Sequence, residues 1–258
     1  MHNEILKIGS LTITGYGLMI AIGLLAAIFL ADYRAKKKGL DDDAVWTIAI
    51  LVASIGFIGA KLLFVIVEFD MFLEDPMAVL GSQGFVVYGG IIVGALTGYI
   101  YTKVKKIDFL TYLDLVIPSV SVAQGFGRIG CFLAGCCYGR ETTTALGVVF
   151  PEGSLAPAGI SLLPTQIYSS VGNFIIAGIL IWYSTKTKVK GNVGAMYMLL
   201  YGIGRFAVEI LRNDSRGSVG QLSTSQFISI FIVLGGIVLF AVNNKRAKNT
   251  QEVISEEE

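Results

Sequence analysis

Seven stretches of this chain are apolar for about the length needed to cross roughly 30 Å of hydrocarbon, approximately residues 15–31, 45–67, 85–102, 109–125, 166–183, 193–211 and 225–242. In lipid every backbone N–H and C=O must find a partner within the protein, so such a chain is restricted to an all-α, polytopic membrane fold with about seven transmembrane helices. Hydrophobic residues make up 54% of the sequence against 15% charged, and the mean hydropathy is +0.70, a balance that a water-soluble domain of this length rarely shows.

The basic residues set the expected orientation. They cluster at Arg34 and Lys36 to Lys38, at Lys103, Lys105 and Lys106, at Lys186, Lys188 and Lys190, and at Lys245, Arg246 and Lys248. With seven spans these four segments all fall on one side. The positive-inside rule then puts the N-terminus outside and the C-terminus in the cytoplasm. A net charge of only +1 gives no field that would draw the molecule to nucleic acid. The first apolar stretch reads as a retained helix because its positive cluster follows it, the reverse of a cleavable leader. Residues 1–242 read as a single transmembrane domain, with an outer-face segment at about 129–163 and a mobile cytoplasmic tail at 243–258.

Several charges remain outside the clusters, among them Lys61, Arg128, Arg140, Arg205, Arg212 and Arg216. Lys61 and Arg205 lie inside apolar runs, where an unpaired charge is expensive and an ionisable side chain usually has a partner or a task. In Tyr201-Gly-Ile-Gly-Arg205-Phe-Ala-Val-Glu209-Ile-Leu-Arg212 the spacings of four and three put Arg205, Glu209 and Arg212 on one helical face. An ion pair explains the first two and leaves Arg212 and Arg216 for a ligand or for water. Arg128 stands in a glycine-rich run from Gln124 to Arg140, near the outer end of a span. There a guanidinium either snorkels to the interface or grips a lipid phosphate with its planar fork.

Other polar groups carry weaker signals. Tyr88 precedes Gly89 and Gly90 at the outer membrane level, and Tyr16 opens the first span; each reads as an interfacial anchor or as part of a site. Gln166 and Tyr168 follow Pro164 and serve equally well as the first residues of a helix. Cys131, Cys136 and Cys137 form no C-x-x-C pair and the single histidine, His2, is distant, so the spacing points to no metal; packing residues, a disulfide or a reactive thiol all stay open. No phosphate-binding loop, dinucleotide fingerprint or zinc-protease motif is present, and no cofactor is implied.

From Tyr16 to Gln226 the order of motifs resembles the prolipoprotein diacylglyceryl transferase family. The motifs are Tyr16-Gly-Leu-Met19, Gly89-Gly90, Gly127-Arg128-Ile-Gly130 running to Gly139, Pro164-x-Gln166-x-Tyr168, Tyr201-x-x-x-Arg205-x-x-x-Glu209-x-x-Arg212, and Leu222-Ser-Thr-Ser-Gln226. The resemblance implies a multi-pass enzyme of the bacterial cytoplasmic membrane. Such an enzyme moves a diacylglyceryl group from phosphatidylglycerol to the lipobox cysteine of a preprolipoprotein signal peptide, the first step of lipoprotein maturation. It implies that Arg128 and Arg205 hold the phosphate and that Glu209 orients an arginine. Tyr16 and Tyr201 then line the pocket, Arg212 guards access, and Gly139 and Gln166 join the substrate-binding set.

Three positions depart from the family's usual residues: Tyr88 where a His is usual, and Cys131 and Cys136 where Asn and Glu are often found. The His is a proposed proton acceptor; either Tyr88 takes that third catalytic place beside Arg128 and Arg205, as a phenolate held between the two arginines, or phosphate activation alone suffices with thiolate supplied by solvent. The departures keep two other readings in play: a divergent or inactive lipid-binding paralogue, and a transporter of an anionic solute. The lack of an internal repeat speaks against the transporter.

Overall fold

Helix α1 (Gly15–Lys38) begins where the Thr14 hydroxyl accepts the Gly17 N–H at 3.1 Å, a short polar side chain satisfying one of the helix's unpaired donors. Before it the strands β1 (Glu4–Ile8) and β2 (Leu11–Thr14) form an antiparallel pair. The computed structural model describes residues 4–8, 11–82, 84–214 and 217–256; Arg216 and His2 lie outside the described residues. The helices that follow are α2 (Asp42–Val67), α3 (Phe69–Glu74), α4 (Pro76–Gly81), α5 (Val87–Val104), α6 (Phe109–Ala134), α7 (Thr165–Tyr183), α8 (Asn192–Leu211) and α9 (Thr224–Glu256). Two short antiparallel pairs complete the chain, β3 (Val148–Val149) with β4 (Ser161–Leu162) and β5 (Ser218–Val219) with β6 (Leu222–Ser223).

Among the described residues six helices are long and apolar enough to cross a membrane: α1, α2, α6, α7, α8 and α9. The remaining expected span corresponds to α5, whose 18 residues extend about 27 Å. Large apolar side chains such as Phe57, Ile66, Ile92, Leu96, Phe231 and Val238 are more than half exposed, a surface that lipid covers and water would not tolerate. The chain is a multi-pass membrane protein.

The chain packs as two compact units, Ala31–Tyr112 and the combination of Met1–Leu30 with Leu113–Glu258. In the first, α2 and α5 cross through small residues. A side chain on Gly59 would lie 2.9 Å from the Gly89 carbonyl oxygen, and one on Gly56 would lie 3.2 Å from that of Gly90. The paired glycines are therefore packing residues, the usual way helices approach closely without a hydrophobic driving force. The intramembrane Lys61 also finds its partners here: its Nζ donates to the Ser82 carbonyl at 2.8 Å, the Ser82 hydroxyl at 3.2 Å and the Gly84 carbonyl at 3.2 Å.

In the second unit the N-terminal half of α1 packs on α6. Cβ atoms on Gly23 and Gly130 would meet Phe126 Cβ at 2.9 Å and the Tyr16 ring at 3.2 Å. Ser121 and Ser170 donate to the Asn173 and Gly125 carbonyls, each at 2.9 Å, and join α6 to α7. The buried Asp114 carboxylate accepts the Gly191 and Gly194 N–H groups at 2.7 and 2.9 Å, an anion at the start of α8 where the helix dipole favours it. The segment between α6 and α7, expected from residue 129, starts after Ala134 because α6 continues that far. Phe150, Ala156 and Leu162 give it a small core of its own against Phe132, Tyr138 and Val148. Helix α9 likewise passes the expected end at Val242 and runs to Glu256. Its 33 residues make about 50 Å, more than a bilayer's hydrocarbon needs, so its basic end extends beyond the apolar zone.

Candidate active site

A pocket with about 380 Å³ of empty space, part of it open to the surroundings, lies among α6, α7 and α8, all in the second unit. Arg128 lines it from α6. Ser169, Gly172, Asn173 and Ile176 do so from one face of α7, and Tyr201, Gly204, Arg205 and Val208 from one face of α8. The intervals of three and four along α7 and α8 are those that put side chains on a single helical stripe. A Cβ on Gly172 or Gly204 would meet no atom within 4 Å, so these glycines leave room in the pocket, in contrast to the tightly packed Gly125.

The charge on α8 is organised around one carboxylate. Glu209, with 1% of its side chain exposed, lies 2.6 Å from Arg205 Nη1 and 3.5 Å from Arg212 Nη1, and accepts the Ser223 hydroxyl at 2.8 Å. Arg212 also forks onto Asp214, with Nε donating to Oδ1 at 2.9 Å and Nη2 to Oδ2 at 2.6 Å. Burial works against the Arg212 charge, yet the Asp214 pairing, with the charges of Cys137 and Glu209, holds the guanidinium pKa above the ordinary arginine value. Arg205 is less committed. Its Nη2 donates to Ser225 at 2.8 Å, while its contact from Nη1 to Glu209 is off the hydrogen-bonding axis and leaves that buried N–H unspent. Arg128 has no carboxylate partner among the described residues and lies within electrostatic reach of Tyr201, Arg212, Cys131 and Cys137. Three arginines thus share a region with two carboxylates, Glu209 and Asp214, and the excess positive charge falls on the two arginines that line the pocket.

The expected residues fall into three groups. Arg128, Tyr201 and Arg205 meet in the pocket, and Glu209 and Arg212 stand directly behind Arg205. Tyr201 is set by stacking on Tyr197, with centroids 5.4 Å apart, whose hydroxyl donates to Gln124 at 2.9 Å. Tyr16, Gly139 and Gln166 frame this region. Tyr16 packs where Gly130 lacks a side chain. Gly139 bridges to Arg212, and a Cβ on it would meet Leu163 and Thr165 at 2.8 Å. Gln166 is buried and donates from Nε2 to the Cys136 carbonyl at 2.7 Å, while its Oε1 has no hydrogen-bond partner among the described residues. Tyr88 belongs to the other unit, near the start of α5, and is 39% exposed.

Sequence reasoning missed Ser169, Asn173, Ser225 and Asp214. Asn173 and Ser169 were available as polar residues four apart within an apolar helix; Ser225 and Asp214 carried no local signal. The cysteines were also underestimated. The Sγ atoms of Cys131, Cys136 and Cys137 all lie within 4.8 Å of one another, and all three residues are half-buried and free of disulfides. Hydrogen bonds within the cluster, then the charges of Arg212 and Arg128, hold the Cys137 thiol well below the usual thiol pKa.

The family model for prolipoprotein diacylglyceryl transferase matches residues 3–242. A phosphatidylglycerol–prolipoprotein diacylglyceryl transferase of Clostridium tetani is 49% identical over 248 residues, covering 95% of this chain and 99% of that protein. A second such protein, numbered 2 in Clostridium perfringens, is 49% identical over 249 residues, covering 95% and 97%. One from Clostridioides difficile is 35% identical over 244 residues, covering 94% of each. With the motifs in order along the chain and the arginines gathered at one pocket, this chain belongs to the prolipoprotein diacylglyceryl transferase family.

Proposed function

We propose that this protein transfers the diacylglyceryl group of phosphatidylglycerol to the lipobox cysteine thiol of preprolipoproteins, in the bacterial cytoplasmic membrane with its N-terminus outside and C-terminus inside. The observation that carries the reading is Arg128, a half-buried guanidinium without a carboxylate partner among the described residues. It lines one pocket with Arg205, whose Nη1 still has an unspent N–H. A pocket with surplus cationic donors inside a membrane protein suits a lipid phosphate, whose oxygens the planar fork of Arg128 and the unspent Arg205 donor can meet.

In the transfer the substrate thiolate attacks the glyceryl carbon that carries the phosphate ester. A C–S bond forms, the C–O bond breaks, and the electron pair leaves on glycerol phosphate. Negative charge therefore concentrates on the phosphate as the reaction proceeds. Arg128 and Arg205 meet that charge with donors already in place, which lowers the barrier more than it tightens ground-state binding. Glu209 keeps Arg205 from swinging away, and the nucleophile comes from the substrate, so none of the chain's cysteines is consumed. Tyr88 occupies the sequence position of the family's usual histidine and, as a phenolate, takes the thiol proton to become the neutral phenol.

The test is purified full-length protein with phosphatidylglycerol labelled in its diacylglyceryl part and a lipobox peptide, beside the same peptide with alanine for cysteine. Labelled thioether on the cysteine peptide alone is expected; no product, with lipid still bound, sinks the proposal in favour of an inactive lipid-binding relative. In the same assay Tyr88→Phe should lower the rate at neutral pH and lose less at alkaline pH, where the thiol ionises unaided. An unchanged pH profile removes Tyr88 from the mechanism.

A further inference from the structure

The turn that ends α6 has its backbone tied down and its sulfurs gathered. Gly135 and Cys137 adopt left-handed backbone angles, with φ of 74° and 62°. Such a conformation is unfavourable for a non-glycine residue, so the surroundings must hold Cys137 in it. They do. Thr165 Oγ1 donates to the Cys137 carbonyl and Gln166 Nε2 to the Cys136 carbonyl, both at 2.7 Å, while the Cys136 N–H returns to the Cys131 carbonyl at 3.1 Å. With the carbonyls engaged, two consecutive cysteines and one from the last turns of α6 bring their Sγ atoms within 4.8 Å of one another.

That spacing is close to a coordination geometry. Tetrahedral zinc holds thiolates at about 2.3 Å, which sets neighbouring sulfurs about 3.8 Å apart, so each pair here needs to close by at most about 1 Å. A donor set made only of sulfur selects soft ions and rejects magnesium and calcium. Three thiolates around a divalent ion leave one negative charge, and Cys137 already feels the positive charges of Arg212 and Arg128. The half-buried positions allow an ion in, and the cluster supplies three ligand atoms among the described residues, so water completes the fourth position.

We propose that Cys131, Cys136 and Cys137 form a binding site for one thiophilic metal ion, with divalent zinc as its natural size and charge. The site clamps the end of α6 to the turn leading to Gly139, beside the pocket that Arg128 lines. Because the chain has three cysteines in all, every thiol signal reports on this cluster.

The experiment uses the full-length protein in detergent, reduced with a non-thiol reductant and stripped of metal by chelation. Titration with cadmium ions, read by the thiolate-to-metal absorption band, should reach one ion per chain, and zinc should displace it. Single Cys→Ser variants should bind at least roughly 100-fold more weakly, since even groups outside the coordination shell are worth 10–100-fold. Bound zinc should also slow alkylation of all three thiols together in the unsubstituted chain, a readout that needs neither a variant nor transfer activity. No cadmium band in the reduced protein, alkylation at the same rate with and without zinc, or uptake that persists in the triple serine variant each overturns the proposal.

Discussion

Arg128→Ala should lower kcat/KM for diacylglyceryl transfer by on the order of 10²–10³-fold while the protein still inserts, purifies and unfolds at close to its usual temperature. The separation of the two effects follows from the geometry. Arg128 has no carboxylate partner among the described residues, so its removal strands no buried anion, and its guanidinium faces a pocket that already has space. Arg205→Ala should cost as much in rate but also some stability, because Glu209 then loses its 2.6 Å contact and Ser225 its donor. Lysine at either position should recover only part of the rate, since a single ammonium cannot present two parallel donors to a phosphate. Steady-state transfer kinetics beside thermal unfolding in detergent would check this. Activity in Arg128→Ala close to that of the unaltered protein would remove phosphate stabilisation from the mechanism.

Glu209→Ala should be the most destabilising single change in the site, by about 3–5 kcal/mol. Glu209 is the anion between two arginines and is almost wholly out of contact with the surroundings, so its loss leaves Arg205 facing Arg212 without the charge that separates them. Arg212 keeps Asp214, whereas Arg205 keeps, among the described residues, the Ser225 hydroxyl. Transfer should fall with stability, because a free Arg205 is no longer aimed at the pocket. Glu209→Gln preserves the shape and an oxygen for the Ser223 hydroxyl, and should lie between the alanine variant and the unaltered protein on both measures. An unfolding temperature unchanged in Glu209→Ala would show that the arginines do not need the carboxylate.

Much of the site was legible because its parts lie within one helix. Arg205, Glu209 and Arg212 share a face by spacing alone, and the structure adds the distances. Gly89 and Gly90 illustrate the opposite case. Beside Tyr88 they looked like part of a site, but they pack on Gly56 and Gly59, thirty residues or so away, and no local pattern distinguishes close approach to a helix from close approach to a ligand. Lys61 shows the same limit: its partners are the carbonyls of Ser82 and Gly84 and a hydroxyl, groups whose availability depends on where a loop turns.

The sequence by itself determined that the chain is helical and crosses a membrane, which face of α8 carries charge, and which family's motifs it holds in order. These are properties of composition and of periodicity over a few turns, and a continuous apolar run of about twenty residues satisfies its backbone in lipid as a helix. Only the tertiary structure decided that Arg128 lines the same pocket as Arg205 across seventy-seven positions (205 − 128). It alone decided that Arg128 lacks a carboxylate among the described residues while Arg205 and Arg212 share one, and that three cysteines with no recognisable spacing meet. The physical reason is that helix formation is satisfied within each segment, whereas the pairing of charges and thiols depends on how separate helices pack, which no single segment specifies.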